Sequence, residues 1–183
     1  KAINIVSKAV PVRTTMSILE CILIDARSGS IRLTANDMEL AIETSLEGRI
    51  EKKGMAALNA KMFSEIIRKL PSGEVTIDAD EGVNALITCQ NTFIRIDCKE
   101  GDDFPGIPLI ERTHSFVMSQ FTLKEVIRQT IFSVSSNDTN PIMTGELFDC
   151  DNDLFRVISL DGHRISMRYI RLKEGGDTFK VIV

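Results

Sequence analysis

The chain has 183 residues, 43% hydrophobic and 26% charged, an ordinary soluble composition whose length admits one large or two small domains. Twenty-two Lys and Arg against 26 Asp and Glu leave a formal charge of −4, so only a local concentration of cations would bind a polyanion. The apolar runs are too short for a spanning helix of about 20 residues, and no unbroken apolar segment marks a signal peptide, so the expected location is the cytoplasm with no membrane partner.

In chain order, residues 1–10 place Ala2, Ile5, Val6 and Ala9 at helical spacing, with Lys1, Asn4 and Lys8 on the opposite face. Short β-rich runs follow at 21–26, 31–35 and 39–46, separated by turns at Ser28-Gly29 and Asn36-Asp37, which predicts an antiparallel meander. A second helix is expected with Asn59 as its N-cap, an apolar stripe of Phe63, Ile66, Ile67 and Leu70, and Pro71-Ser72-Gly73 as its stop. Lys61, Arg68 and Lys69 fall on its exposed side. Strands resume at 75–79, 85–89 and 93–98; in the last, Ile94, Ile96 and Cys98 alternate with Phe93, Arg95 and Asp97, which leaves Phe93 on the polar face.

Residues 100–112 are rich in Gly, Asp and Pro and read as an exposed connector between a first domain, 1–112, and a second, 113–183. A strand at 115–119 then leads to a third helix, opened by a capping box from Thr122 to Glu125 with Phe121 and Val126 as a hydrophobic staple. Val126, Ile127, Ile131 and Val134 form its predicted buried stripe, with Lys124 and Arg128 outside.

Displaced by 124 residues, the chain matches itself without a gap at Ile3/Ile127, Val10/Val134, Leu23/Leu147, Asp25/Asp149, Arg32/Arg156 and Asp37/Asp161. A tandem duplication accounts for these matches. The strand expected before the third helix has no counterpart before Lys1, and the second helix has none before Val183, so the chain is expected to be part of something longer. The fold class that follows is α+β, tandem repeats with helices on one face of antiparallel sheets.

Two clusters carry chemistry. Asp161, His163 and Arg164 lie within one turn, but no nucleophile elbow, phosphate loop or metal-ligand pair accompanies them. A hydrolase using Asp161 and His163 therefore ranks below a turn in which a short carboxylate accepts backbone N–H groups, as the equivalent Asp37 would. Cys21, Cys89, Cys98 and Cys150 are scattered, with only His114 and His163 beside them, so neither metal nor cofactor is expected. Lys1, Lys8, Lys61, Arg68, Lys69, Lys124 and Arg128 lie opposite the buried stripes of three helices; should those faces converge, they would touch phosphates without reading bases.

Five segments resemble the bacterial DNA polymerase III beta subunit, the sliding-clamp family: Arg13-Thr14-Thr15-Met16-Ser17-Ile18-Leu19, Leu33-Thr34-Ala35-Asn36-Asp37-Met38-Glu39, Ile67-Arg68-Lys69-Leu70-Pro71, Asp103-Phe104-Pro105 and Leu160-Asp161-Gly162-His163-Arg164-Ile165. They run in family order and cover roughly the first half of a subunit built of three similar domains of about 120 residues. The resemblance implies the DNA clamp fold, a head-to-tail homodimeric ring around duplex DNA, and a non-catalytic processivity factor that holds polymerase by topology. By position it implies DNA contacts at Arg13, Lys61, Asn137 and Asn140, alongside the cations Lys1, Lys8, Arg68 and Lys124; Asn140 and Pro141-Ile142 depart from the basic and aromatic residues the family can carry there. It further implies one wall of a groove for short peptide motifs of the polymerase III alpha subunit, the clamp loader and repair polymerases, made by Met143, Leu160, Gly162, His163, Arg164 and Ile165, with Leu160 in place of a usual Thr. Phe93, with Arg95, falls at the implied dimer contact, as an exposed aromatic on an edge strand. A protein-interaction module that does not bind DNA is the alternative.

Overall fold

The period-two stretches fold as antiparallel strands, and the 3.6-period stretches as short helices laid on one face of them. The computed structural model describes residues 1–80, 83–108, 111, 113–137 and 139–183. These form two compact units, Lys1–Leu109 and Ile110–Val183. Arg112, the predicted end of the first domain, lies outside the described residues.

The first unit begins with α1 (Ala2–Val6), a 3-10 turn (Ser7–Ala9) and the meander β1 (Cys21–Asp25), β2 (Ile31–Asn36) and β3 (Ala41–Leu46). Then come β4 (Met55–Asn59), α2 (Ala60–Lys69), β5 (Thr76–Ala79), β6 (Asn84–Cys89) and β7 (Thr92–Glu100), in a sheet ordered β3-β2-β1-β4-β7-β6-β5. Val6, Ala9, Ala60 and Phe63 from the helical layer bury against Ile22, Leu33, Leu58 and Ile87 of the sheet. Asn59 caps α2 as expected, its side chain accepting from the Met62 N–H.

Two expectations for this unit need correction, and one strand was not anticipated. The first helix ends at Val6 and passes into the 3-10 turn, and it is Ile3 rather than Ile5 that packs on the core, Ile5 being 41% exposed. The connector is not wholly exposed: Gly101 is buried in a 3-10 turn (Gly101–Asp103), and Phe104 packs on Cys21 and Ala57 across the face opposite the helices. Strand β4 escaped the sequence reading because Ala56, Ala57 and Leu58 are small or unbranched; their burial on both faces, between β1 and β7, makes the strand.

The second unit contains α3 (Gln120–Thr130), 3-10 turns at Ile131–Ser133 and Pro141–Thr144, and β8 (Leu147–Asp151), β9 (Leu154–Leu160), β10 (Ile165–Arg171) and β11 (Phe179–Ile182), ordered β10-β9-β8-β11. The expected strand at 115–119 is extended chain outside the sheet, tied down by the Ser115 N–H to Asp177 Oδ2 at 2.7 Å, with Phe116 and Met118 against the core. The α3 cap moves from Thr122 to Ser119, whose hydroxyl accepts the Thr122 N–H at 3.0 Å; Glu125 pairs with Arg128 instead. Phe121, 75% exposed, makes no staple. Ile131, 54% exposed, leaves the buried stripe because the 3-10 turn brings Ser133 inward in its place.

The duplication is visible in strand register. Leu23↔Thr34, Ile24↔Leu33 and Asp25↔Arg32 recur as Leu147↔Ile158, Phe148↔Val157 and Asp149↔Arg156. Thr34↔Glu43 and Asn36↔Ala41 recur as Ile158↔Met167 and Leu160↔Ile165. Each cross-strand Asp–Arg pair is an ion pair, 3.2 Å in the first unit and 2.9 Å in the second.

Candidate functional site

The turn between β9 and β10 is built by Asp161. Its Oδ1 accepts the backbone N–H groups of His163 and Arg164, each at 3.0 Å, and its Oδ2 accepts Arg164 Nε at 2.8 Å. These bonds, the His163 N–H foremost, hold the carboxyl below its usual range. Asp37 does the same between β2 and β3, accepting the Leu40 and Glu39 N–H groups at 2.6 and 2.9 Å, and its carboxyl is lowered for that reason. The left-handed backbone two strands reverse through falls on Met38 (φ 78°) in one repeat and on Gly162 (φ 88°) in the other, where glycine bears it without steric cost. Asp161 thus makes the turn, and takes the main chain of His163 rather than its imidazole.

Leu160 and Ile165 face each other across the mouth of this hairpin, 36% and 63% exposed. His163, Arg164 and Gly162 project at its tip, all exposed. Met143, half-buried in the turn Pro141–Thr144, is joined to the preceding segment by the Ser135 N–H to its carbonyl at 2.9 Å. That segment is fixed to the hairpin by Ser133 Oγ to Ser166 Oγ at 2.6 Å and by Ser159 Oγ donating to the Thr130 carbonyl at 2.5 Å. The hairpin therefore gathers five of the six expected groove residues, and side-chain hydrogen bonds link the Met143 segment to it. Phe132 was missed by the sequence reading: it is 58% exposed, with the Arg164 guanidinium carbon 5.9 Å from its ring centroid. Its only sequence signal is an apolar pair, Ile131-Phe132, running past the helical stripe.

The cations of the first unit share a face. α1 and α2 lie on the same side of the sheet, and Ser7 Oγ of the 3-10 turn after α1 is 3.3 Å from Ser64 Oγ of α2. Lys1 and Lys8 around α1, and Lys61, Arg68 and Lys69 on α2, are exposed there, and none has an ion-pair partner among the described residues. Glu65 is exposed on the same helix. Arg13 is exposed in the loop between the 3-10 turn and β1.

In the second unit, Asn137 occupies the position equivalent to Arg13. Its Oδ1 accepts the Thr139 N–H, and Asn140 Oδ1 accepts the Ile142 N–H at 3.3 Å, capping the turn Pro141–Thr144; both side chains are exposed. Lys124 stands free on α3 among the described residues, whereas Arg128 is held by Glu125 at 2.8 Å.

Phe93 is 69% exposed and Arg95 points to the same face of β7, opposite the helices. β7 is internal in the strand order, but β4 takes only Cys98, Lys99 and Glu100, so the half bearing Phe93 and Arg95 pairs with β6 alone among the described residues. An open edge runs beside Phe93 even though the strand is not terminal.

Among the described residues no three His, Cys, Asp or Glu side chains gather as a metal site, and no helix is long and apolar enough to cross a membrane. The four cysteines are buried and unpaired, and burial raises the thiols of Cys21, Cys98 and Cys150.

Residues 1–108 match the family model for the DNA polymerase III beta subunit, N-terminal domain, and residues 117–183 that for its central domain. The chain is 34% identical over 183 residues to the beta sliding clamp of Halalkalibacterium halodurans, covering 96% of this chain and 48% of that protein. A crystal structure from Eubacterium rectale, described as a DNA polymerase III beta subunit, superposes with a TM-score of 0.96 at 59% identity over 100% of this chain and 50% of that one. A sliding clamp from Bartonella birtlesii bound to griselimycin superposes with a TM-score of 0.88 at 29% identity, over 94% of this chain and 48% of that one. The chain spans about half the length of the curated relatives it matches.

Proposed function

The chain belongs to the DNA polymerase III beta subunit family, and from that membership we propose that it works in the cytoplasm as part of a sliding clamp, a non-catalytic processivity factor that encircles duplex DNA as a head-to-tail homodimer. The observation that carries this reading is the shared cationic face of α1 and α2, where Lys1, Lys8, Lys61 and Arg68 stand exposed over a sheet that keeps its acidic pairs, such as Asp25 with Arg32, on the other side. A net charge of −4 does not oppose DNA binding by such a face, because local potential governs the encounter. Mobile ammonium and guanidinium groups that read no bases let the duplex slide, so retention comes from closure of the ring rather than from strong bonds. Arg13 adds to this contact from its loop, and Asn137, Asn140 and Lys124 are the residues of the second unit to which a DNA contact is assigned.

The hairpin tip with Leu160, Gly162, His163, Arg164 and Ile165, together with Met143, serves as one wall of a docking groove for short peptide motifs of the polymerase III alpha subunit, the clamp loader and repair polymerases. Exposed apolar side chains beside a fixed guanidinium suit that task, and griselimycin, bound by the Bartonella birtlesii clamp, is expected to engage the same wall. Phe93 and Arg95, beside the open half of β7, form this chain's share of the dimer contact.

A clamp carrying this chain, loaded on nicked circular duplex, should stay bound through a high-salt wash and escape once the circle is linearised. Equal retention on circle and linear DNA would refute topological holding. Peptide binding without any salt-sensitive DNA contact would favour the DNA-free interaction module instead.

A further inference from the structure

We infer that Phe132 is a positioning residue for the Arg164 guanidinium, an inference that rests on the docking role proposed for the β9–β10 turn. An exposed arginine ordinarily loses much of its hydrogen-bonding advantage to side-chain entropy. Arg164 is restrained from two directions: Asp161 Oδ2 accepts its Nε at 2.8 Å, and its guanidinium carbon lies 5.9 Å from the Phe132 ring centroid, within cation–π range. Nη1 and Nη2 have no hydrogen-bond partner among the described residues. A guanidinium held by one nitrogen and one face offers those donors to a ligand carbonyl or carboxylate with its ordering cost already met.

Phe132 is itself rigidly presented. The residues around it, Thr130 and Ser133, are fully buried; Thr130 Oγ1 lies 2.6 Å from Glu146 Oε1 and 2.9 Å from the Val126 carbonyl, and Ser133 bonds Ser166. The ring between them is nonetheless 58% exposed, so the core does not account for it. The duplication supplies a comparison inside the same molecule. In the first repeat the equivalents of Phe132 and Arg164 are Lys8 and Leu40, yet the hairpin there closes on Asp37 with the same register and the same backbone bonds. The Phe132–Arg164 pair is therefore dispensable for folding the repeat, and its presence beside the groove wall is assigned to binding.

The test uses griselimycin as the probe, titrated calorimetrically into a clamp carrying this chain as unmodified protein, F132L, F132Y, R164A and F132L/R164A. F132L should weaken binding roughly two- to fivefold, the worth of an exposed cation–π contact, F132Y should restore it, and F132L should add nothing in the R164A background. In parallel, ring-current upfield shifts of the Arg164 δ and ε protons should be present in the unmodified protein and vanish in F132L. Tight binding by F132L alongside weakened R164A, an undiminished F132L effect on top of R164A, or no ring-current shift in the unmodified protein would each overturn the positioning role. Unchanged binding by R164A would instead overturn the docking role of the turn. Amide exchange of Phe155 and Val157, buried in β9, confirms that each variant is folded in this unit.

Discussion

The duplicated Asp–Arg pairs predict unequal costs for the same substitution. In the second unit Asp149, with a side chain 8% exposed, has one close cation, Arg156 Nη2 at 2.9 Å; Lys180 stands off at 3.9 Å, and Oδ1 has no hydrogen bond. Asp25 of the first unit, equally buried, accepts Arg32 Nη2 at 3.2 Å but also Arg27 Nε and Nη2, both at 3.2 Å, and the Arg27 N–H at 2.9 Å. Arg156→Met therefore strands a buried carboxylate, whereas Arg32→Met leaves one that is still triply bonded. Stranding a fully buried charge costs about 3–5 kcal/mol; Arg156 is about one-third exposed, water enters, and about 2 kcal/mol is expected. Arg32→Met should cost about 0.5 kcal/mol, the range of a redundant pair near the surface. Both arginines bury an unbonded Nε, so relief of that penalty is common to the two variants and cancels. Tyr169 is the sole tyrosine and there is no tryptophan, so its fluorescence follows the second unit through urea unfolding, and amide exchange of Ile22 and Leu33 follows the first. At a slope of about 1 kcal/mol per molar urea, the Arg156→Met midpoint should fall by about 2 M. Equal losses, or a larger loss for Arg32→Met, would refute the idea that Arg27 is the reserve partner of Asp25.

Other predictions concern the same sheet and the cationic face. Burial alone would raise the Asp25 carboxyl, but hydrogen bonds from Arg27 and the charges of Arg27 and Arg32 hold it below the usual carboxylate range, so its contribution is complete above the unfolded carboxyl range and is lost as pH falls through the lower native value. The stability difference between unmodified protein and Asp25→Asn should therefore be flat from pH 7 to about 5 and shrink in more acidic denaturation series. A Cβ at Gly101 would collide with Met55 Cβ and stand 3.0 Å from the Met55 carbonyl carbon, so Gly101→Ala must displace β4 and should cost about 1–3 kcal/mol, read from the exchange of β4 amides. Lys61→Ala and Arg68→Ala should each flatten the log–log dependence of DNA affinity on salt by about one unit, equally on unrelated sequences; a sequence-dependent loss would contradict backbone contact.

Most of the secondary structure was legible because periodicity and burial agree. The alternation of Ile94, Ile96 and Cys98 against Phe93, Arg95 and Asp97 is the burial pattern of β7, and Asn59 with the stripe of Phe63, Ile66 and Ile67 makes α2. The misreadings arose where local chemistry had a competitor. Ser119 and Thr122 both cap helices well, and the earlier one won because its hydroxyl reaches the Thr122 N–H while Thr122 itself is drawn into that bond pair. An Ala-rich strand has no propensity signal, and its place between β1 and β7 comes from contacts distant in sequence. The spatial gathering of cations was not readable either, since the placement of α1 and α2 on one side of the sheet comes from core contacts distant in sequence, Val6 and Phe63 both packing with Ile22, Leu33 and Leu58.

The duplication separates what makes the fold from what was added to it. Positions occupied alike in both repeats are those whose bonds close the sheet: Asp25 and Asp149 pairing Arg32 and Arg156, and Asp37 and Asp161 receiving backbone N–H groups at the hairpin turn. Positions that differ sit at the same places but carry different chemistry: Arg13 against Asn137 in the loop before the meander, Lys8 against Phe132 after the helix, Glu39 and Leu40 against His163 and Arg164 at the turn. One copy thus keeps its helix end and loop cationic, the chemistry that the proposed DNA contact calls for. The other has Phe132 and Asn137 in their place and carries a guanidinium at the hairpin tip beside Leu160 and Ile165, a mixture that suits the apolar, directional ligand proposed for it. The scaffold can carry such different side chains because the bonds that fix its register draw on the shared Asp and Arg side chains and on the main chain, not the side chains, of the residues that differ.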